Sequence, residues 1–244
     1  MKNIIYFLSL IITFSSFSQE KITDSIQGTK QNLDEVIVES VRVKYSSPIT
    51  HSNILKSELS SKNLGQDLPI LLQLQPSVTT TSDAGNGVGY TGIRIRGSDA
   101  TRVNVTINGI PVNDAESHQV YWVNLPDLAA SADNIQVQRG VGTSTNGAGA
   151  FGGSLNIQTS TLQQDAFAEI NSSYGSFNTQ RNALKFGTGL LDKRFALDGR
   201  VSLIQSNGYM DRASSDLQSL YLSGGYYGKQ QSLRAVIMTG REKT

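Results

Sequence analysis

The chain has 244 residues, enough for one large domain or two small ones. A formal net charge of +1 with 17% charged residues points away from both a nucleic-acid-binding surface and an acidic disordered tail. The lack of any cysteine excludes a disulfide framework, a thiolate metal site, a cysteine nucleophile and a lipid anchor on cysteine, while His51 and His118 stand too far apart in sequence to suggest a zinc or haem centre.

Met1-Lys2-Asn3 is a short positive start, and Ile4 to Phe14 is almost unbroken apolar sequence. A membrane-spanning helix needs about 20 apolar residues, so this run is too short and reads as a secretory signal peptide over 1–18, cut near Ser18–Gln19. No later stretch is apolar enough for a membrane helix, so any membrane role after cleavage must use strands. The polar, aperiodic stretch Gln19–Gln31 predicts a mobile tail within a 19–40 segment. It runs into Leu33-Asp34-Glu35-Val36-Ile37-Val38, whose β-branched residues make either an edge strand able to pair with another chain or the first strand of the next domain.

Residues 41–160 mix helix and strand signals, the signature of an α+β domain. Asp67 is placed to cap a short helix carrying Leu68, Leu71, Leu72 and Leu74, with Pro69 in its first turn and Pro76 at its end. Alternation predicts strands at Ile93–Arg96, Arg102–Ile107, Ile135–Arg139 and Ser154–Thr159, the second running into the Asn108-Gly109 turn. Pro126 in Asn124–Leu128 suits another short capped helix.

After Thr161 helix signals vanish. Alternating segments recur around Ala166–Tyr174, Thr179–Gly189, Arg194–Gln205, Leu217–Tyr227 and Ser232–Gly240. In the third, Phe195, Leu197, Gly199, Val201 and Leu203 share one face, and Ala196, Asp198, Arg200 and Ser202 the other. That pattern fits a lipid-facing wall around a polar lumen, and equally a soluble sandwich. Tyr174, Phe177, Tyr209, Tyr221, Tyr226 and Tyr227 lie where interface girdle residues would sit.

Gly147-Ala148-Gly149-Ala150-Phe151-Gly152 matches the dinucleotide fingerprint G-x-G-x-x-G. That chemistry requires a helix after the glycines, and Gly153–Thr159 has strand period instead. The glycines read as permission for close backbone approach. No nucleophile–base pair, carboxylate dyad or metal cluster emerges, so neither an enzyme nor a cofactor is expected.

Taken in order, these motifs resemble the TonB-dependent receptors of bacterial outer membranes. Leu33–Val38 is similar to the family's Ton box, Ile93-Arg94-Ile95-Arg96-Gly97 to its IRIRG strand, and Val105–Asp114 to its V-x-I-D/N-G-x-P element. Asn124-Leu125-Pro126, Ile135–Gly140 and Gly147–Thr159 resemble the long motif that ends the family's plug, and Tyr174–Thr179 its first barrel hairpin. The resemblance implies an α+β plug domain (41–160) followed by the incomplete N-terminal part of a transmembrane antiparallel β-barrel (161–244). Family barrels have about 22 strands, and even small ones need about eight, so the chain is expected to be a fragment ending on an unpaired strand edge.

The resemblance further implies residue roles. Leu33, Asp34, Glu35, Val36, Ile37 and Val38 would bind TonB in the periplasm. Arg96 and Arg139 would lock the plug to glutamates of the barrel wall, and are expected to be under-paired here; exposed arginines at strand ends are the alternative. Loops Thr81–Tyr90 and Asn113–Tyr121 would face the ligand, the latter through Asn113, Asp114, Glu116, His118, Gln119 and Tyr121 beside Trp122. A lone loop histidine such as His118 reads as a polar loop residue rather than a haem ligand. Expected partners are TonB, outer-membrane lipid and a small-molecule ligand, most simply a ferric siderophore or other iron complex. A non-transporting exported binding or adhesion protein with a plug-like domain is the competing class.

Overall fold

The computed structural model describes residues 42–43, 47–142, 144–147, 149–159, 163–228 and 231–244. The expected signal peptide (1–18) and the Leu33–Val38 segment lie outside the described residues.

The first half is built on a mixed five-stranded sheet. In chain order its elements are β1 (His51–Leu55), α1 (Lys56–Lys62), α2 (Leu68–Leu71), β2 (Val78–Ser82), β3 (Thr91–Ile95), β4 (Val103–Ile107), β5 (Ile110–Pro111), α3 (Leu128–Ser131), β6 (Ala132–Arg139) and β7 (Gly153–Thr159). The sheet order is β1-β6-β7-β4-β5, with β4 and β7 parallel and the other pairs antiparallel; β2 and β3 form a separate hairpin. Apolar residues from these elements, including Ile54, Leu72, Ile95, Val105, Trp122, Ile135, Leu155 and Ile157, make one core.

The predicted Asn108-Gly109 turn is present, with φ of 52° and 83°, the positive pair that a two-residue hairpin needs. Asn108 also ties the turn to the end of β7, accepting from Thr159 N–H and donating to its hydroxyl, both at 2.9 Å. The glycine run leads into β7, and no helix follows it. A Cβ on Gly153 would lie 2.7 Å from the Gln138 carbonyl, so glycine permits β7 to press against β6.

Two helix expectations are corrected. The Leu68 helix is a single turn, and Leu74 is exposed beyond it. Asp67 does not cap that turn with its side chain; its carboxylate accepts from the Thr91 hydroxyl at 2.9 Å instead. Near Pro126 there is a 3-10 turn at Trp122–Asn124 and then α3, again without a side-chain cap. Trp122, expected among the ligand-facing residues, is buried in the core.

The second half is an antiparallel meander: β8 (Phe167–Gly175), β9 (Thr179–Gly187), β10 (Phe195–Ser206), β11 (Ser215–Tyr227) and β12 (Ser232–Lys243), each paired with its neighbour in sequence. All five expected segments are strands, and β10 to β12 run 12 or 13 residues, long enough to cross a hydrocarbon layer. Burial on β10 settles which face is which. Leu197, Val201 and Leu203 are 45%, 43% and 47% exposed, while Arg200 and Ser202 are buried. A soluble sandwich would bury its leucines, whereas a barrel wall turns them outward and keeps its polar row inside.

The inner row explains the close fit. Ser202, Ser206, Ser215, Ser219 and Ser223 are all buried, leaving room for the first-half domain against the wall. Tyr221 belongs to this inner row rather than to an interface girdle: it is buried, and its hydroxyl donates to Thr159 Oγ1 at 3.0 Å. On the outer face, Phe186 lies over Gly199, its cross-strand partner. An aromatic ring covering a strand glycine restores the packing that the glycine lacks.

Candidate functional site

The junction between the two halves centres on Asp127, which precedes α3 with a left-handed φ of 53°. Aspartate tolerates that conformation better than most residues. Its carboxylate is fully buried and meets side chains from three elements. Arg181 on β9 donates through Nε to Oδ1 at 3.0 Å and through Nη2 to Oδ2 at 2.9 Å. Ser202 on β10 donates to Oδ2 at 2.6 Å, and Asn63 to Oδ1 at 2.9 Å. Arg200 Nη1 stands 3.5 Å from Oδ2, and its Nη2 donates to Ser219 Oγ at 3.1 Å. Burial pushes the Asp127 carboxyl up, but Arg200 and Arg181, with the Arg181 and Ser202 hydrogen bonds, outweigh it and hold the pKa below the ordinary carboxylate range. The two-pronged Arg181 contact is the strong, geometrically selective form of such a pair.

The sequence alone did not point to this cluster. The available signal was that Arg181 and Arg200 occupy the face of a barrel strand opposite the leucines. Charges there need partners on whatever fills the lumen.

Arg96 and Arg139 are brought together at Gly140. A Cβ on Gly140 would come within 2.6 Å of Arg96 Nη1, and burial together with Arg96 lowers the Arg139 pKa. Arg139 Nη1 donates to Ser52 Oγ at 2.6 Å; Arg96 is exposed, with a φ of 53°. Among the described residues neither arginine lies within ion-pair distance of a carboxylate.

The Asn113–Tyr121 loop is shaped largely by its own side chains. Asn113 Oδ1 accepts from Val105 N–H at 2.7 Å, and its Nδ2 donates to the Val103 and His118 carbonyls. Asp114 accepts from the Ser117 N–H and hydroxyl and from the Glu116 N–H, which hold its carboxyl below the usual range. Gln119 Nε2 donates to the Tyr121 hydroxyl at 3.1 Å. Glu116, His118 and Tyr121 are exposed. Asn113 and His118 also line a cavity of about 270 Å³ with Arg102, Asn104 and Asn146, whereas Asp114, Glu116, Gln119 and Tyr121 are not among its lining residues. The other expected loop, Thr81–Tyr90, meets the wall where Tyr209 N–H donates to the Ala84 carbonyl at 2.8 Å.

Comparison with known proteins agrees with this architecture. The family model of the TonB-dependent Receptor Plug Domain matches residues 43–154. A metal-pseudopaline receptor of Pseudomonas aeruginosa is 32% identical over 94 residues, a region covering 38% of this chain and 13% of that protein. Among solved structures, the unliganded ferric citrate transporter FecA aligns with a TM-score of 0.66 at 21% identity, over 80% of this chain and 31% of FecA. The ferric-catecholate import receptor Fiu of E. coli K12 aligns with a TM-score of 0.64 at 18% identity, over 80% of this chain and 27% of Fiu. The chain thus spans less than a third of these structures. Residues 43–154 are thus a plug domain of the TonB-dependent receptors, followed by strands of an incomplete barrel wall that turn their apolar face outward and meet the plug through a buried ion cluster.

Proposed function

We propose that the protein carrying this chain is an outer-membrane receptor that takes up a scarce nutrient with energy delivered through TonB, the cargo being a ferric siderophore or another metal chelate. The observation that carries this reading is the reversed burial of β10, apolar outward and charged inward against a plug. The similarity to a metal-pseudopaline receptor supports the chelate class of cargo. In this reading 1–18 is the export signal, 19–40 the periplasmic segment with the Ton box, 41–160 the plug and 161–244 wall strands. Leu33–Val38 is the handle, adding a strand to TonB. Arg96 and Arg139 contact carboxylates of the wall, and Asn113, Asp114, Glu116, His118, Gln119 and Tyr121 border the ligand.

The test is Ile37→Pro in the intact protein in its bacterium. Proline removes a backbone donor from the added strand. Uptake of a radiolabelled ferric siderophore, sensitive to a protonophore in the wild type, is expected to vanish while binding to cells persists. Protonophore-sensitive uptake at the wild-type rate by the variant would reject the handle assignment.

A further inference from the structure

A small cavity of about 50 Å³ lies on the seam between plug and wall, bordered by Lys56, Ser131 and Asp133 of the plug and by Lys185, Asp198 and Arg200 of β9 and β10. Three of these side chains carry buried atoms with no hydrogen-bond partner among the described residues: Ser131 Oγ, Asp198 Oδ1, and Arg200 Nε and Nη1. Buried polar groups are nearly always satisfied, so unsatisfied atoms gathered on one cavity mark a place where something polar binds. Arg200 is only 5% exposed. Its Nη2 is engaged by Ser219 Oγ and its Nη1 stands 3.5 Å from Asp127 Oδ2, which leaves Nε with no acceptor.

The charges decide the sign of the ligand. Lys56 is already paired with Asp133 at 3.0 Å. Arg200 and Lys185 are direct partners in the β9–β10 register, two cations opposed across the sheet, a pairing that is destabilising by itself. An anion between them removes the repulsion. Asp198 then decides which anion. Its Oδ1 needs a donor and would repel an oxyanion that has none. An oxyanion with its own hydroxyl satisfies every group: its oxygens accept from Arg200, Lys185 and Ser131, and its O–H donates to Asp198. Phosphate and bicarbonate carry that hydroxyl at neutral pH, and sulfate does not.

Gly187 makes the room. It is the cross-strand partner of both Asp198 and Phe167. A Cβ there would lie 2.5 Å from Asp198 Oδ1 and would overlap the Phe167 ring. Its φ is not in the left-handed region, so the contact alone demands glycine.

We propose that this cavity binds a small hydroxyl-bearing oxyanion, inorganic phosphate or bicarbonate, and rejects sulfate through Asp198. Ser131 belongs to α3 and the other contacts to β9 and β10, so the bound anion bridges plug and wall. A single water fills roughly 10–15 Å³ of such volume, so the cavity takes an oxyanion of a few heavy atoms and excludes a metal chelate. The site is therefore separate from that of any cargo, and the proposal does not depend on uptake.

The test is titration calorimetry of the purified full-length receptor in detergent, in a chloride buffer at pH 7, with inorganic phosphate, bicarbonate and sulfate in turn. Phosphate or bicarbonate is expected to bind at one site at least about tenfold more tightly than sulfate, because a buried acceptor discriminates against a ligand lacking the donor. The tighter of the two identifies the occupant. Asp198→Asn offers an amide N–H where the carboxylate oxygen stood, and should bring sulfate to within about twofold of phosphate. Gly187→Ala fills the space and should weaken every anion about tenfold or more. A merely structural Asp198 would leave the ratio of phosphate to sulfate affinity where it was. No saturable binding by the wild type, equal binding of sulfate, or a ratio unmoved by Asp198→Asn would each overturn the proposal. Asp198→Asn decides alone if Gly187→Ala loses hydrogen-exchange protection in β7 and β10, since Asp198 Oδ1 has no hydrogen bond to give up.

Discussion

Asp67 and Asp127 are both buried carboxylates of the plug, and their surroundings drive them in opposite directions. Asp127 has two guanidiniums against it and stays ionised. Asp67 has the Thr91 hydroxyl and a backbone hydrogen bond from Gly89, which do not offset burial, and its pKa rises to about 7. The consequences for stability are opposite in sign. The folded pKa of Asp127 is depressed, so its contribution is present above the unfolded value near 3.9 and is lost only as pH falls through the folded value. The folded pKa of Asp67 is raised, so its contribution is full below about 4 and is lost as pH climbs to about 7, a change of roughly 4 kcal/mol. Asp67 N–H also holds the Gly87 carbonyl at 2.9 Å, so the loss falls on the glycine-rich Asp83–Tyr90 loop. Chemical denaturation of the plug between pH 4 and pH 7 is expected to show falling stability with rising pH in the wild type. Asp67→Asn should remove that slope; a slope unchanged by the substitution would remove Asp67 as its source.

At the level of elements, alternation located the five wall strands and four of the plug strands, because side chains on a strand alternate faces whatever surrounds it, but it did not locate β1 or β2. Alternation could not say which face meets lipid, because a wall and a sandwich share the period. Leu203 and Ser202 look alike in either fold until their burial is known. Short helices were harder, since Asp67 and Asp127 each precede a single helical turn but are engaged by Thr91, Arg181 and Ser202 rather than by the local backbone. Asp127 is bonded to a residue 75 positions away in sequence, and no local pattern reports such a pairing. The wall assignment makes its own prediction. Val201→Arg on the outward face of β10 is expected to cost about 2–4 kcal/mol when the full-length protein folds into lipid vesicles, the penalty for a charge near the bilayer midplane. In a soluble sandwich an arginine at a 43% exposed position would cost almost nothing. Folding midpoints in vesicles distinguish the two, and a shift near zero would place that face in water.

For the whole molecule, what matters is how differently the plug is held inside and outside itself. Among the described residues, the plug's main apolar core draws every residue from between Ile54 and Ile157, and no wall strand contributes to it. Across the seam the apolar contact is small, with Val88 and Val123 of the plug against Ile204 and Leu217 of the wall. Much of the rest is polar: the Asp127 cluster, Tyr221 on Thr159, and Ser173 donating to the Leu64 carbonyl at 2.8 Å. Polar groups at such a seam can exchange protein partners for water at modest net cost, whereas a shared apolar core could not be opened without exposing it. A plug so held is expected to separate from its wall while the wall stays folded. In guanidinium, hydrogen exchange of the intact receptor is therefore expected to show two transitions, β7 losing protection before β10 does. Asp127→Asn keeps the shape of the latch but leaves Arg181 and Arg200 without their carboxylate, a loss of about 3–5 kcal/mol for a buried pair broken on one side. That loss should lower the first midpoint and leave the second where it was. If β7 and β10 unfold together, and the substitution moves both equally, the seam is part of one cooperative unit and the plug cannot leave without the wall.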